Sequence, residues 1–148
     1  MSDRLAIWPQ YVMPKRALTV WAGKLANGHY GRWTHAFINR FVARYKVDMS
    51  EAAEPDTAAY PSFNAFFTRP LKPGARPIAE SAFVSPVDGA ISQCGAIERD
   101  QIFQAKGHHY SSRALVGGDA ALAALFDHGQ FATLYLSPRD YHRIHMPC

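Results

Sequence analysis

The sequence of 148 residues has few cysteines and no long apolar run. Its two cysteines, Cys94 and Cys148, are too few for a disulfide framework, so we expect a reducing cytoplasmic environment and a buried Cys94. No apolar run reaches the roughly 18 residues that a membrane-spanning helix needs, so none is predicted. Charges and Pro9 interrupt the N-terminal apolar residues, so no signal peptide is predicted.

Acidic residues are almost absent from the first 46 residues. This region has eight Lys/Arg against a single acid, Asp3, for a net charge of +7, whereas the remaining 102 residues carry −3. All three tryptophans lie in the same basic region. The composition indicates contact with an anionic membrane surface. Binding to nucleic acid is the competing interpretation, but the region has no recognised nucleic-acid-binding motif, so no such partner is predicted.

Apolar spacing in this basic region predicts two amphipathic helices. The first has apolar residues at i, i+3, i+4 and i+7 and is expected to end in a left-handed residue at Asn27-Gly28. In the second, aromatic residues recur every four positions, and we expect this stripe to pack in the core. The residues concerned are Leu18, Trp21, Ala22 and Leu25 in the first helix and Trp33, Phe37, Phe41 and Tyr45 in the second. The first helix, with a helical turn predicted over residues 7–12, is expected to contact lipid.

The rest of the chain changes character twice. Residues 48–80 are rich in proline and acidic residues and form a predicted connector, in which Ser62 caps a short helix. From residue 81, short apolar runs between turns predict strands, and residues 131–136 predict a buried one. Ser111 is expected to cap one helix that ends at Gly129, although Gly117-Gly118 weakens its middle.

These patterns predict an α+β fold. Amphipathic helices at the N-terminus precede a mostly antiparallel β domain with one inserted helix. The expected organisation is a basic, membrane-associating helical region over residues 1–47, the connector over residues 48–80 and an incomplete β-rich domain over residues 81–148.

The chemistry-bearing residues concentrate at the end of the last predicted strand. Asp140, His142 and His145 follow it in a turn bounded by prolines, and Asp88 lies in a second turn, P-V-D-G. If Asp88 lies near the histidines, its carboxylate can fix the tautomer of one imidazole, whose other nitrogen then removes a proton from a hydroxyl. The ordinary alternatives are an Asp that bonds only its own turn and a pair of surface histidines.

The segment S-P-R-D-Y-H-R-I-H-M-P-C, residues 137–148, closely resembles the matching segment of the phosphatidylserine decarboxylase proenzymes. The resemblance runs from about Tyr11 to Cys148 in the family's order. It passes through Y-K-V-D-M (45–49), E-P-D-T (54–57), F-N-A-F-F-T-R-P-L (63–71), R-P-I (76–78), P-V-D-G-A-I-S (86–92) and Q-A-K-G-H (104–108). It implies decarboxylation of phosphatidylserine to phosphatidylethanolamine by an enzyme peripheral to the cytoplasmic side of the cell membrane.

The resemblance also implies roles for individual residues. Asp88 and His145 would act with a downstream Ser in an L-G-S-T-like motif, whose hydroxyl attacks the preceding Gly carbonyl. The chain then splits into β and α subunits, and the Ser becomes a covalent pyruvoyl cofactor that serves as electron sink when CO₂ leaves. His142 would donate a proton to the resulting carbanion.

No serine of this sequence follows a glycine, so the sequence lacks the bond that the family cleaves. We therefore expect a fragment of the proenzyme that is inactive without its C-terminal α subunit. The resemblance leaves room for a homodimer.

Other residues near these motifs allow alternatives. His142 and His145 could bind zinc with Cys148 and His108, but no pair has recognised structural-zinc spacing, so no metal is predicted. Arg139 is either solvated or contacts a lipid phosphate. His108 and His109 are assigned to local structure or to the lining of the site.

Two other functions compete with the decarboxylase. Residues 85–91 resemble the opening of barrel-sandwich carrier domains, but Lys106 lacks the hairpin context of a lipoylated or biotinylated lysine. A peripheral membrane-binding module without chemistry would explain the basic N-terminal region but not Asp88, His142 or His145.

Overall fold

The computed structural model describes residues 14–98, 101–104 and 108–148. They belong to two compact units, Met1–Glu80 and Ser81–Cys148, here called the N-terminal and C-terminal units. The N-terminal unit contains α1 (Lys15–Asn27), α2 (Arg32–Tyr45), a 3₁₀ turn (Thr57–Ala59) and α3 (Phe63–Phe67). The C-terminal unit contains β1 (Ala90–Ala96), β2 (Gln101–Gln104), β3 (His108–Ser111), α4 (Ser112–Leu115), α5 (Ala120–Ala124) and β4 (Gln130–Tyr135). This confirms the α+β fold class.

Both N-terminal helices occur where their apolar spacing predicted them. The predicted end of α1 is confirmed, but Gly28 has extended backbone (φ −70°, ψ 147°) rather than the left-handed conformation expected. The left-handed residue is Lys46, which ends α2 with φ 55°. The turn predicted over residues 7–12 lies outside the described residues. In the part of the chain that the structure describes, no helix is both long and apolar enough to cross a membrane.

The core of the N-terminal unit is aromatic and joins α2 to α3. Ile38 and Phe66 are fully buried, and Val47 and Tyr60 pack with them. The Phe66 ring meets those of Tyr60, Phe41 and Phe63 at centroid distances of 5.8, 5.9 and 5.7 Å. The side chain of Ser62 accepts a hydrogen bond from the amide of Ala65, as its predicted capping role requires. The contacts of Phe66 with Tyr60 and Phe41 are edge-to-face, a geometry that stabilises beyond the area that it buries.

The aromatic stripe of α2 does not pack in the core as a whole. Trp33 is 74% exposed and Phe37 is also exposed, while the buried residues of the helix are Thr34 and Ile38. A step of four residues overshoots one helical turn by roughly 40°. The stripe therefore rotates around the helix, and of its members only Phe41 is half-buried against the core.

Arg69 is the one charged residue in the interior of the described part of this unit. It is 3% exposed, and its guanidinium carbon lies 5.3 Å from the centroid of the Phe66 ring. Burial lowers the pKa of Arg69 and raises that of Tyr60, whose hydroxyl donates to the carbonyl of Glu54 at 2.6 Å. The arginine thus covers one face of the aromatic core.

The described strands of the C-terminal unit are all antiparallel, as predicted. β1 pairs with β4 from Ala90↔Tyr135 to Ala96↔Gln130, with an irregularity between Ile91 and Gln93, and β2 pairs with β3. The predicted strand over residues 131–136 is present as β4, but its residues are half-buried or exposed because only one strand pairs with it among the described residues. Cys94, expected to be buried, is exposed on β1.

The single helix predicted between Ser111 and Gly129 is two short helices. Ser111 caps the first as predicted, since its hydroxyl accepts from the amide of Ala114 at 3.1 Å. Gly117 and Gly118 then adopt φ values of 75° and 93°, which side chains other than glycine rarely tolerate, and the helix ends. Asp119 begins the second helix by accepting from two backbone amides at 2.9 and 3.0 Å.

Candidate functional site

Two extended segments of the C-terminal unit lie side by side beyond the regular strands. The amide of Val84 donates to the carbonyl of Pro147 at 2.9 Å, and the amide of His145 donates to the carbonyl of Pro86 at 2.8 Å. The two bonds join the residues that lead into the P-V-D-G turn, up to its first proline, to the last residue of the Y-H-R-I-H segment and the residues just after it. The two motifs singled out in the sequence are therefore neighbours in space.

Gly89 fixes the other end of the P-V-D-G turn. A Cβ atom on this residue would lie 2.6 Å from the carbonyl oxygen of Tyr135, closer than side chains are tolerated. Only glycine lets the turn approach the end of β4 in this way. Asp88 is half-buried, and the turn that carries it is held on both sides. Gly89, the next residue, lies against Tyr135, and Pro86, two residues earlier, accepts the hydrogen bond from His145. A hydrogen bond between the Asp88 carboxylate and an imidazole stays a prediction.

The turn after β4 is closed by Asp140. Its carboxylate accepts from the amide of Ser137 at 2.6 Å, and its own amide donates to the carbonyl of Ser137 at 2.9 Å. Nδ1 of His142 lies 2.8 Å from the carbonyl oxygen of Asp140. Because a carbonyl can only accept, Nδ1 of His142 carries the proton, which gives Nε2 the basic lone pair in the neutral ring. Asp140 therefore has a structural role that orients His142.

His145 is exposed, and Tyr141 holds its ring. The two rings are stacked with centroids 5.6 Å apart and an angle of 18° between their planes. The Tyr141 hydroxyl lies 3.2 Å from Nε2 of His145. Tyr141 is buried and was not singled out in the sequence. The available signal was its place in the motif, as an aromatic residue four positions before the histidine that it contacts.

The remaining candidate residues belong to the same unit. Arg139 is exposed, and its Nε is 3.9 Å from the Asp140 carboxylate, a surface pair that contributes little to stability. His108 and His109 lie on β3, and Cys148 is exposed. Over residues 14–98, 101–104 and 108–148, no group of three or more His, Cys, Asp or Glu is arranged to hold a metal ion. Lys106 lies outside the described residues.

The chain is similar to proteins of one family along its whole length. A family model described as phosphatidylserine decarboxylase matches residues 63–148, and a second, described as PSD, matches residues 5–46. The chain is 72% identical to a phosphatidylserine decarboxylase proenzyme of Methylibium petroleiphilum and 69% identical to one of Azoarcus sp.. Both alignments cover 100% of this chain, and they cover 52% and 51% of the respective relatives. The chain thus spans about half the length of the curated relatives that it matches.

Proposed function

Because the chain belongs to the phosphatidylserine decarboxylase family, we propose that it is the β-subunit part of an enzyme that converts phosphatidylserine to phosphatidylethanolamine and CO₂. The observation that carries the proposal is the pairing of residues 84–86 with residues 145–147. This pairing sets the Asp88 turn beside the segment that bears both histidines. A carboxylate and two imidazoles on rigid, neighbouring backbone are the groups that acid–base chemistry requires.

The proposed division of roles follows from the surroundings of each side chain. His145 is the base that removes the proton from a serine hydroxyl, and the negative charge of Asp88 stabilises the imidazolium that forms. His142, whose Nδ1 is bonded to the Asp140 carbonyl, is the group that gives the product carbanion its proton. The serine would belong to the half of the relatives' length that this chain does not cover.

A pyruvoyl group derived from that serine would supply the electron sink for loss of CO₂. The residues of this chain suit such a group in two respects. The His145 ring is exposed, so it can face a group carried by another segment. The Ser137 hydroxyl is buried and, within the described part of the chain, has no hydrogen-bond partner, so it can donate to an incoming carbonyl oxygen.

We propose that the α subunit, which corresponds to the half of the relatives that this chain does not cover, packs on the C-terminal unit. β1 and β4 form only a two-stranded sheet among the described residues, and Ile91 and Tyr135 on these strands are exposed. Ile144 and Met146 beside the histidines are exposed as well. A sheet with open edges and exposed apolar side chains is a surface on which further strands pair and pack.

Membrane contact is the remaining part of the proposal. The first 46 residues carry a net charge of +7, and α1 has no buried residue. Its exposed apolar residues include Leu18, Trp21 and Leu25. A helix with Trp and Leu on its surface beside basic residues suits the interface of an anionic bilayer. We therefore propose that the enzyme is peripheral to the cytoplasmic side of the cell membrane.

The deciding experiment compares two forms of the protein. The gene is read beyond the codon for Cys148, and the full-length product is purified beside the 148-residue chain. The full-length protein is expected to contain an L-G-S-T-like motif, to split into two subunits and to release CO₂ from phosphatidylserine. The 148-residue chain should keep a single intact mass and release none. Release of CO₂ by the shorter chain alone would refute the proposed role of the serine.

A further inference from the structure

We propose that Tyr141 is a positioning residue for His145, which sets both the plane of the imidazole and the nitrogen that carries its proton. The inference rests on the proposed role of His145 as the base. Tyr141 is 9% exposed, whereas the His145 ring that it contacts is open to solvent. The phenol of Tyr141 is fixed by burial, while the imidazole of His145 stays accessible to a substrate. A base that must be held in one orientation needs both.

Two independent contacts hold His145 in place. Its backbone amide is bonded to the Pro86 carbonyl at 2.8 Å, which fixes the position of its Cα. Its ring lies nearly parallel to that of Tyr141, with 18° between the planes, and rotation about χ2 would break this stack. The tyrosine in turn follows the turn that Asp140 closes on Ser137. The ring orientation is therefore set by packing rather than by solvent.

The Tyr141 hydroxyl lies 3.2 Å from Nε2 of His145. A phenol oxygen can donate or accept in such a contact. Because a phenol O–H is a stronger donor than an imidazole N–H, and an imidazole nitrogen is a stronger acceptor than a phenol oxygen, the donor here is Tyr141. A neutral imidazole accepts at the nitrogen without hydrogen. With Tyr141 donating to Nε2, the proton of neutral His145 is on Nδ1, from which it can be donated to a carboxylate.

This tautomer matches the proposed chemistry. The lone pair on Nε2 is the one that would take the proton of a serine hydroxyl, with Nδ1–H directed to the Asp88 carboxylate. In the 148-residue chain the Tyr141 hydroxyl contacts that nitrogen. In the full-length protein Tyr141 must yield Nε2 to the serine hydroxyl, so its role is to preset the tautomer before the serine arrives.

The test reads the tautomer directly from the imidazole ¹⁵N chemical shifts of the 148-residue chain, with His145→Gln used to assign the signals. Tyr141→Phe keeps the stacked ring and removes only the hydroxyl. It should shift neutral His145 from the Nδ1–H toward the Nε2–H form. Tyr110→Phe, which removes an exposed hydroxyl of the same unit, should leave the spectrum of His145 unchanged. A wild-type ring protonated on Nε2, or identical tautomer populations in Tyr141→Phe, would overturn the inference.

A second measurement uses the full-length protein and the rate of its self-cleavage. Loss of the group that sets the tautomer in a serine–histidine–aspartate triad costs about 10⁴-fold. Tyr141 only presets the tautomer, and Asp88 remains in the variant, so we expect Tyr141→Phe to slow cleavage by several-fold, far less than that, and Tyr110→Phe to have no effect. If the wild-type protein does not cleave at all, the proposed function fails while the tautomer result still stands. If it cleaves and Tyr141→Phe cleaves equally fast, the positioning role is wrong.

Discussion

The backbone amide of His145 donates a hydrogen bond to the carbonyl of Pro86 at 2.8 Å. This bond connects two segments that are far apart in the sequence, and it does so without any side chain. The geometry of a site that includes both Asp88 and His145 therefore depends on backbone pairing next to the sheet of β1 and β4. Substitution of either side chain should alter chemistry while leaving this framework in place.

The two histidines should fail at different steps in the full-length protein. His145→Ala should leave an uncleaved proenzyme, visible as one band on a denaturing gel, because it removes the proposed base. Asp88→Asn should behave similarly, since it removes the charge that stabilises the imidazolium. His142→Ala should be cleaved into two subunits yet decarboxylate about a hundred to ten thousand times more slowly, the usual contribution of a general acid.

Blocked cleavage in His142→Ala together with normal cleavage in His145→Ala would mean that the two roles are exchanged. Arg139→Ala is a suitable control because Arg139 is exposed and lies in the same segment. Its cleavage should proceed at the wild-type rate.

Gly89→Ala should disturb the site through the backbone. The added methyl group would lie 2.6 Å from the Tyr135 carbonyl, so the P-V-D-G turn must move away from β4. We expect the free energy of unfolding of the C-terminal unit to fall by about 1–3 kcal/mol, as is typical of an overpacked position. Amide hydrogen exchange in β1 and β4 measures this loss. Gly95→Ala is the matched control on β1, where the new methyl group meets the Phe131 ring at an ordinary 3.4 Å, and protection there should not fall.

Phe66→Ala should destabilise the N-terminal unit strongly. The side chain is fully buried among aromatic rings and lies against Arg69. Its removal leaves a cavity, which should lower the free energy of unfolding by about 3–5 kcal/mol. Among the described residues most helical positions lie in α1, α2 and α3, so far-UV circular dichroism during urea unfolding reports mainly on this unit. Phe83→Ala removes the same atoms from a side chain that is 73% exposed, and it should leave that transition unchanged. Equal effects of the two substitutions would contradict the described core.

Sequence patterns predicted the local elements well, because the interactions that define them are local. The period of α1 and α2 and the caps at Ser62 and Ser111 involve residues at most four apart. The buried face of α2 was not predicted correctly, because it depends on where Phe66 and its neighbours pack. The helix break at Gly117 and Gly118 was foreseen only as a weakness, since glycine permits positive φ without requiring it.

The site was predictable as a set of motifs but not as a geometry. The sequence marked Asp88, His142 and His145 as candidates by their places in turns, and the family resemblance supplied their expected roles. The bonds that bring their segments together lie outside regular strands, where no periodicity marks them. The contact between Tyr141 and His145 depends on the path of an irregular segment, so spacing alone could not reveal it.

The N-terminal unit should lose stability in acid partly through Asp48. Hydrogen bonds from Ser50, first from its side chain and then from its backbone amide, lower the pKa of Asp48. A carboxylate whose pKa is lower in the folded state stabilises above its unfolded pKa of about 4, and the contribution is lost as pH falls through the lower folded value. The difference in unfolding free energy between wild type and Asp48→Asn should therefore be largest near neutral pH and shrink in acid. Ser50→Ala, which keeps the carboxylate but removes the hydroxyl donor, should reproduce part of this difference. If the difference in unfolding free energy between wild type and Asp48→Asn stays constant with pH, the hydrogen bonds from Ser50 do not stabilise the Asp48 carboxylate.

Binding to lipid vesicles should depend on the charge of the first helix. Lys15, Arg16 and Lys24 each contribute about 1 kcal/mol near an anionic surface, so replacing all three with Gln should weaken binding to phosphatidylserine-containing vesicles about a hundredfold at low salt. Added salt should weaken wild-type binding by screening the same charges. Trp21→Ala should reduce affinity at every salt concentration, because it removes exposed aromatic surface rather than charge. Vesicles of zwitterionic lipid and the exposed-residue variant Phe83→Ala are the controls. If a chain that lacks residues 1–27 sediments with anionic vesicles as well as the full chain does, the helix is not the membrane-binding element.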